Sequence, residues 1–129
     1  MVLKKDLSVM LVDDDHIMRA YLRIMLRDDE VTDIKEANTA AKALKFLKLK
    51  KCDLMFLDIN LPDQDGVSLI QTIKQHQPEC QIIMVSSEAT KDRVQQAISA
   101  GAKDFIAKPF NASIVDTKVR QLITDITGE

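Results

Sequence analysis

Short, uninterrupted apolar runs recur along the chain, and longer segments with apolar residues at helical spacing separate them. The run at residues 54–57 leads directly into Asp58 and then into a loop that contains Pro62 and Gly66. A short apolar run bounded by turn-forming residues is typical of a strand that is buried on both faces. The pattern therefore predicts a central strand with Asp58 at its carboxyl end.

The same pattern predicts four further strands, at residues 7–12, 31–37, 81–85 and 104–107. The second of these is more polar, which favours a position near an edge of the sheet. Apolar residues between and after these runs stand three and four positions apart, which predicts five helices. Strand and helix thus alternate five times, and this order favours a parallel sheet covered by helices on both faces.

Polar residues and one glycine mark the predicted helix ends. Asp15 suits the N-cap of the first helix, and Asn38 or Thr39 suits that of the second. Gly101 suits a left-handed C-terminal cap of the fourth helix.

Length and composition indicate one globular domain over residues 1–129, with no internal repeat and no second domain. A net charge of -2 and the lack of a basic block with interleaved aromatics argue against direct nucleic-acid binding. No apolar run reaches the roughly 18 residues of a membrane span, so we expect a cytoplasmic protein without membrane insertion. Cys52 and Cys80 match no metal or redox spacing, and we interpret them as small buried hydrophobic residues in a reducing compartment.

Functional polar side chains follow four of the five predicted strands, each just past the carboxyl end. These residues are Asp13, Asp14, Asp58, Ser86 and Lys108. Because parallel strands end at one edge of the sheet, the five groups converge there. Each alone is explained as a helix cap or a solvated residue, but their coincidence favours a functional site.

Other aspartates have simpler explanations. For Asp15 we prefer the helix cap, and for Asp63 and Asp65 we predict plain turn roles.

Three ionised aspartates at one edge repel one another, and a divalent hard cation such as Mg²⁺ relieves that repulsion. Beside such a cation a carboxylate is able to attack phosphorus and form an acyl phosphate. Ser86 would then donate a hydrogen bond to the phosphoryl group, and Lys108 would supply a positive charge.

The polar residues lie in four motifs, at residues 11–14, 57–62 together with Gly66, 84–86, and 107–110. In order and spacing these motifs resemble the receiver domain of two-component response regulators, and most of all the stand-alone chemotaxis type. The resemblance extends from Leu7 to about Ile126. It implies a flavodoxin-like, doubly wound, five-stranded parallel sheet of strand order 2-1-3-4-5 with five helices on both faces.

The resemblance also implies how the acidic residues act. Asp58 would accept a phosphoryl group from the phosphohistidine of a sensor histidine kinase or phosphotransfer protein. Asp14, Asp58 and the main-chain carbonyl of Asn60 would bind Mg²⁺ directly, and Asp13 would act largely through water.

The remaining motif residues would carry the switch. Lys108 would contact the phosphoryl group, Ser86 would move toward it on activation, and Phe105 occupies the aromatic switch position. The peptide bond between Lys108 and Pro109 is expected to be cis.

Three positions depart from the common family pattern. Ser86 stands where threonine is common, but the hydroxyl is kept. Phe105 stands where the chemotaxis regulator has tyrosine, so the resemblance does not extend to a hydrogen bond from this position to an output partner. Thr39 stands where glycine is frequent, and we expect a local change of the turn there.

Asn60 and Glu88 are positioned to orient an attacking water and tune the lifetime of the phosphorylated state, so we expect appreciable self-dephosphorylation.

The leading hypothesis is a stand-alone, phosphorylation-dependent switch that catalyses its own phosphoryl transfer and self-dephosphorylation and is otherwise not an enzyme. Its output protein would bind the face formed by the fourth helix, fifth strand and fifth helix. Candidate residues on that face are Arg93, Gln96, Lys103 and Lys118. Both a monomer and a phosphorylation-dependent dimer are compatible with the sequence.

Other functions compete with this one. A phosphorelay intermediate or phosphate sink would use the same residues. A phosphatase with an aspartyl-phosphate intermediate is disfavoured, because Asn60 stands where such enzymes usually carry a second aspartate as general acid. A structural module that is never phosphorylated is disfavoured by the intact Asp13, Asp14, Asp58 and Lys108.

Overall fold

A five-stranded parallel sheet runs through the centre of the computed structural model, which describes residues 2–129. A 3₁₀ turn at Lys4–Asp6 precedes it. Strands and helices then alternate along the chain: β1 (Ser8–Val12), α1 (His16–Asp28), β2 (Asp33–Ala37), α2 (Ala40–Leu49), β3 (Leu54–Leu57), α3 (Gly66–His76), β4 (Gln81–Ser86), α4 (Lys91–Ala100), β5 (Asp104–Ala107) and α5 (Ala112–Thr127).

The strand order in the sheet is β2-β1-β3-β4-β5, and all neighbouring strands are parallel. The order 2-1-3-4-5 is therefore confirmed, as is the edge position of the more polar strand β2. Strand β3 lies at the centre, where both of its faces are covered, and all four of its residues are buried. An unbroken apolar run is what such a position requires.

The two faces of the sheet carry separate apolar cores. One core lies beneath α2, α3 and α4, and the other lies beneath α1 and α5. Within β3, Met55 and Leu57 point into the first core, whereas Leu54 and Phe56 point into the second, as the two-residue period of a strand demands. Both faces of the sheet are therefore packed, and the loops at the carboxyl edge begin from strands buried between the two cores.

Side chains cap the helices where the sequence predicts it. Asp15 accepts hydrogen bonds from the main-chain nitrogens of Ile17 and Met18 at the start of α1. The Thr39 hydroxyl accepts one from the nitrogen of Lys42 at the start of α2. Gly101 ends α4 with a φ of +121°, a conformation that side chains with a Cβ rarely adopt.

Candidate functional site

Three carboxylates meet at the carboxyl edge of the two central strands. Asp13 and Asp14 follow β1, and Asp58 follows β3, which is hydrogen-bonded to β1. One carboxylate oxygen of each lies within 4.8 Å of the other two. Asp13 and Asp58 are buried, whereas Asp14 is exposed. The cluster is therefore open to solvent on the side of Asp14.

Lys108 brings a positive charge to this cluster from β5. Its Nζ lies 2.9 Å from Oδ2 of Asp13 and 3.4 Å from Oδ2 of Asp58. Burial lowers the pKa of Lys108, but the hydrogen bond to Asp13 and the charges of both aspartates outweigh this and raise it overall. The ammonium group is therefore charged at neutral pH. The Lys108–Pro109 peptide bond is cis. The main-chain nitrogen of Lys108 donates a hydrogen bond of 2.9 Å to the carbonyl oxygen of Ser86.

Burial and the neighbouring negative charge disfavour the ionised form of Asp13 in this arrangement. Burial, and to a smaller extent the charge of Asp58, raise the pKa of its carboxyl group, although Lys108 and the main-chain nitrogen of Asp15 oppose the shift. Three carboxylates and one ammonium leave a formal charge of minus two. All three carboxylates offer oxygen atoms as metal ligands, and oxygen is the ligand type that Mg²⁺ binds. The residues present therefore fit a divalent cation of this kind.

Ser86 and Phe105 lie on strands β4 and β5, the two strands that follow β3 in the sheet. Ser86 is completely buried, and its hydroxyl oxygen accepts a hydrogen bond of 3.2 Å from the main-chain nitrogen of Glu88. Phe105 pairs with Met84 across the sheet and is half-buried against the core beneath α2, α3 and α4. The hydroxyl of Ser86 is thus held by the loop between β4 and α4.

The loop between β3 and α3 folds back onto the main chain of Asp58. Asn60 is exposed, and its main-chain nitrogen donates a hydrogen bond of 3.2 Å to Oδ1 of Asp58. Gly66 donates to the carbonyl oxygen of Ile59 at 2.7 Å. A Cβ on Gly66 would overlap the carbonyl oxygen of Asp58 and lie 2.8 Å from the Cα of Ile59. Glycine is therefore required here by close approach of two main-chain segments.

A model of the response regulator receiver domain matches residues 9–120. The chain belongs to this family. Chemotaxis protein CheY of Bacillus subtilis is 37% identical to this receiver over 107 residues, which are 83% of this chain and 89% of that protein. The transcriptional regulatory protein KdpE of Staphylococcus aureus is 32% identical over 113 residues, which are 88% of this chain and 48% of that protein.

Solved structures agree with this assignment. A two-component response regulator from Clostridium difficile matches the receiver with a TM-score of 0.84 and 26% identity, over 91% of this chain and 95% of that chain. The beryllofluoride-activated DrrB receiver domain matches with a TM-score of 0.81 and 26% identity, over 91% of this chain and 97% of that chain. The flavodoxin-like fold that the sequence implies is therefore confirmed.

Two aspartates of the β3–α3 loop do more in this receiver than the sequence predicts. The carboxylate of Asp63 accepts hydrogen bonds from the nitrogens of Ala40 and Ala41 at 2.9 and 3.0 Å, and these bonds lower its pKa. Asp65 accepts from the nitrogen of Val67 at 2.9 Å and caps α3. The prediction of plain turn roles was therefore wrong for both. For Asp65 its place directly before a helix was a usable signal, whereas Asp63 caps a helix 22 residues away.

Sequence reasoning also missed Arg19. Its guanidinium donates to the main-chain carbonyl of Asp13, and its Nε lies 3.1 Å from Oε1 of Glu36 on the edge strand β2. Arg19 thereby joins the turn after β1 to the neighbouring strand. An arginine one turn into an amphipathic helix carries no sequence signal for such a contact.

The cysteines lie at the opposite edge of the sheet from the acidic cluster. Cys52 precedes β3 and Cys80 precedes β4, and both are buried and not disulfide-bonded, as expected for small apolar residues. Contact with the Cys80 thiol and burial raise the pKa of Cys52, so this thiol is protonated at neutral pH.

None of the helices in residues 2–129 has both the length and the apolar character that crossing a membrane requires.

Proposed function

We propose that this receiver accepts a phosphoryl group on Asp58 from a histidine kinase or phosphotransfer protein and signals through a partner protein. One observation carries the proposal: a buried carboxylate lies within 4.8 Å of two others and 3.4 Å from the ammonium of Lys108. Such a cluster is costly unless it binds a cation, and a bound cation together with Lys108 would present positive charge to an incoming phosphoryl group.

The transfer step follows from the positions of these groups. An oxygen of Asp58 attacks phosphorus, an O–P bond forms, and the P–N bond to the donor imidazole breaks, with the electron pair returning to the imidazole. Asp13, Asp14, Asp58 and the main-chain carbonyl of Asn60 would hold Mg²⁺. When bound, the ion supplies positive charge that balances the phosphoryl oxygens. Lys108 moves its ammonium from Asp13 and Asp58 to the new phosphoryl oxygen.

The response to phosphorylation begins at Ser86. A phosphoryl group on Asp58 offers the Ser86 hydroxyl an acceptor that is charged, and charge-assisted hydrogen bonds are the stronger kind. Movement of Ser86 toward it changes the packing next to Phe105 on the neighbouring strand. The surface of α4, β5 and α5 changes with Phe105, and an output protein binds there, with Arg93, Gln96, Lys103 and Lys118 as candidate contacts.

Loss of the phosphoryl group completes the cycle. Asn60 and Glu88 orient a water for attack on the acyl phosphate, which gives the receiver its own self-dephosphorylation. We place the receiver's action in the cytoplasm.

Incubation with Mg²⁺ and acetyl phosphate, followed by intact mass spectrometry, tests the proposal. We expect one phosphoryl adduct on the wild type, none on Asp58→Asn, and none after Mg²⁺ is removed with a chelator. Asp15→Asn is the matched control, because it removes a neighbouring charge outside the cluster and should leave the adduct intact. No adduct with any donor would refute the proposal, and consumption of the donor without an adduct would favour a phosphatase.

A further inference from the structure

Arg93 joins the two loops that carry the acceptor and the switch residues. It lies in the first turn of α4, and its NH2 nitrogen is 2.8 Å from Oδ1 of Asp65, at the end of the β3–α3 loop. Its Nε is 3.3 Å from Oε1 of Glu88, in the β4–α4 loop. One side chain thus holds together two loops that leave neighbouring strands.

The two arms of this contact differ in strength. The arm to Asp65 is a short, well-aligned hydrogen bond between charged groups. The arm to Glu88 is longer, and the Nε of Arg93 is buried without an aligned hydrogen bond. The carboxylate of Glu88 is therefore held by charge alone, and this arm opens first when the β4–α4 loop moves.

Glu88 connects this contact to the switch residue. Its main-chain nitrogen donates to the hydroxyl oxygen of Ser86, while its carboxylate faces Arg93. A Ser86 that moves toward a phosphoryl group on Asp58 must take the β4–α4 loop with it or break its bond to Glu88. Movement of the loop weakens the attraction between Glu88 and Arg93, and this attraction therefore opposes the movement.

We propose that Arg93 is a positioning residue that clasps the β4–α4 loop to the β3–α3 loop and holds Glu88, and through it Ser86, in the resting arrangement. The clasp rests on the proposed phosphorylation of Asp58, and it opposes activation. Its removal shifts the two-state equilibrium toward the active form without touching the acidic cluster. The expected shift is about two- to fivefold, the usual effect of one ion pair near the protein surface.

Beryllofluoride mimics the phosphoryl group and does not undergo the hydrolysis that removes an acyl phosphate. It therefore allows the equilibrium between the resting and active forms to be measured without dephosphorylation. The amide resonance of Ser86 is followed by NMR in Mg²⁺ while beryllofluoride is titrated. We expect Arg93→Gln to lower the half-saturating concentration about two- to fivefold. Arg93→Lys keeps the positive charge, and its half-saturating concentration should be closer to that of the wild type. Mg²⁺ affinity, measured without beryllofluoride, should be the same in all three proteins.

A double-variant cycle tests whether the two residues act through one contact. Glu88→Gln should lower the half-saturating concentration as Arg93→Gln does, and the double variant should go no lower than either single variant. Arg120→Gln removes a different arginine, one that pairs with Asp116 in α5 and with Asp29 after α1, and its half-saturating concentration should match the wild type.

Three results would overturn the proposal. The first is an unchanged or higher half-saturating concentration in Arg93→Gln, and the second is full additivity in the double variant. Both leave the proposed function intact, because the wild type still binds the mimic and still forms the acetyl phosphate adduct. The third is a wild type that does neither, and then the proposed function fails together with the clasp.

Discussion

Replacement of Asp13 by asparagine should stabilise the metal-free receiver. The raised pKa of Asp13 means that its ionised form is disfavoured in the folded state. Asparagine has nearly the same shape and keeps an oxygen that accepts from the nitrogen of Asp15. The substitution therefore removes a strained charge while it leaves the local turn in place.

The size of the effect follows from the distances. Oxygens of Asp13 and Asp58 lie no more than 4.8 Å apart, so the repulsion between these carboxylates is at least about 3.5 kcal/mol at an effective dielectric constant of 20. Attraction between Asp13 and Lys108 at 2.9 Å is about 6 kcal/mol on the same scale. Because the pKa is raised all the same, burial of the carboxylate must cost more than the attraction that remains, which is at most about 2 kcal/mol. We expect a net gain of about 1–2 kcal/mol, the usual size for relieving a strained functional residue.

Thermal unfolding in a chelator, followed by circular dichroism, measures this gain. For 129 residues, 1–2 kcal/mol corresponds to a rise in Tm of about 4–7 °C. The gain should be present at neutral pH and disappear as the pH falls toward 3.8, the ordinary carboxyl value. The sign follows from proton binding: the folded wild type binds the proton more tightly than the unfolded chain, so its stability falls as the pH rises through the raised pKa.

Mg²⁺ should reverse the order of stability. At a hundredfold excess over its Kd, a bound ion adds about 2.7 kcal/mol to the wild type, which exceeds the advantage of Asp13→Asn. The variant has lost one carboxylate and gains less. Asp15→Asn, which keeps a good helix cap outside the cluster, should match the wild type in both conditions. A metal-free Asp13→Asn that is less stable than the wild type would show that the attraction to Lys108 dominates, and the reasoning would be wrong.

Three further predictions follow from the site. Gly66→Ala should cost about 1–3 kcal/mol in urea unfolding and slow adduct formation, because its Cβ overlaps the main chain of Asp58; wild-type values for both would contradict the close approach. Lys108→Gln should tighten Mg²⁺ binding about tenfold in calorimetric titrations, since the cluster loses its cation, although adduct formation should fall; weaker Mg²⁺ binding would show that Lys108 positions the ligands. Glu88→Leu should change the decay rate of the adduct, followed by mass after the donor is removed, and an unchanged rate would exclude Glu88 from the water-positioning role.

Much of the fold was predictable because its determinants are local. The apolar run before Asp58 and the helical spacing after each strand are set by which faces are buried, and burial follows a period of two or about 3.6 residues. The caps at Asp15 and Thr39 depend on main-chain nitrogens within three residues. The convergence of Asp13, Asp58 and Lys108 followed from their place at the ends of parallel strands. The strand order came from the motifs' resemblance to receiver domains, since alternation alone allows several orders.

The tertiary structure alone decided the contacts between loops. Asp63 caps a helix that precedes it by more than 20 residues. Arg93 reaches Asp65, which lies 28 residues earlier in the chain. Neither contact has a periodic signal, because each depends on how far a helix is rotated about its axis and which rotamer a long side chain adopts. Local sequence determines which face of an element is buried, but only the packing of those faces against the sheet brings two distant loops within reach of one charged side chain.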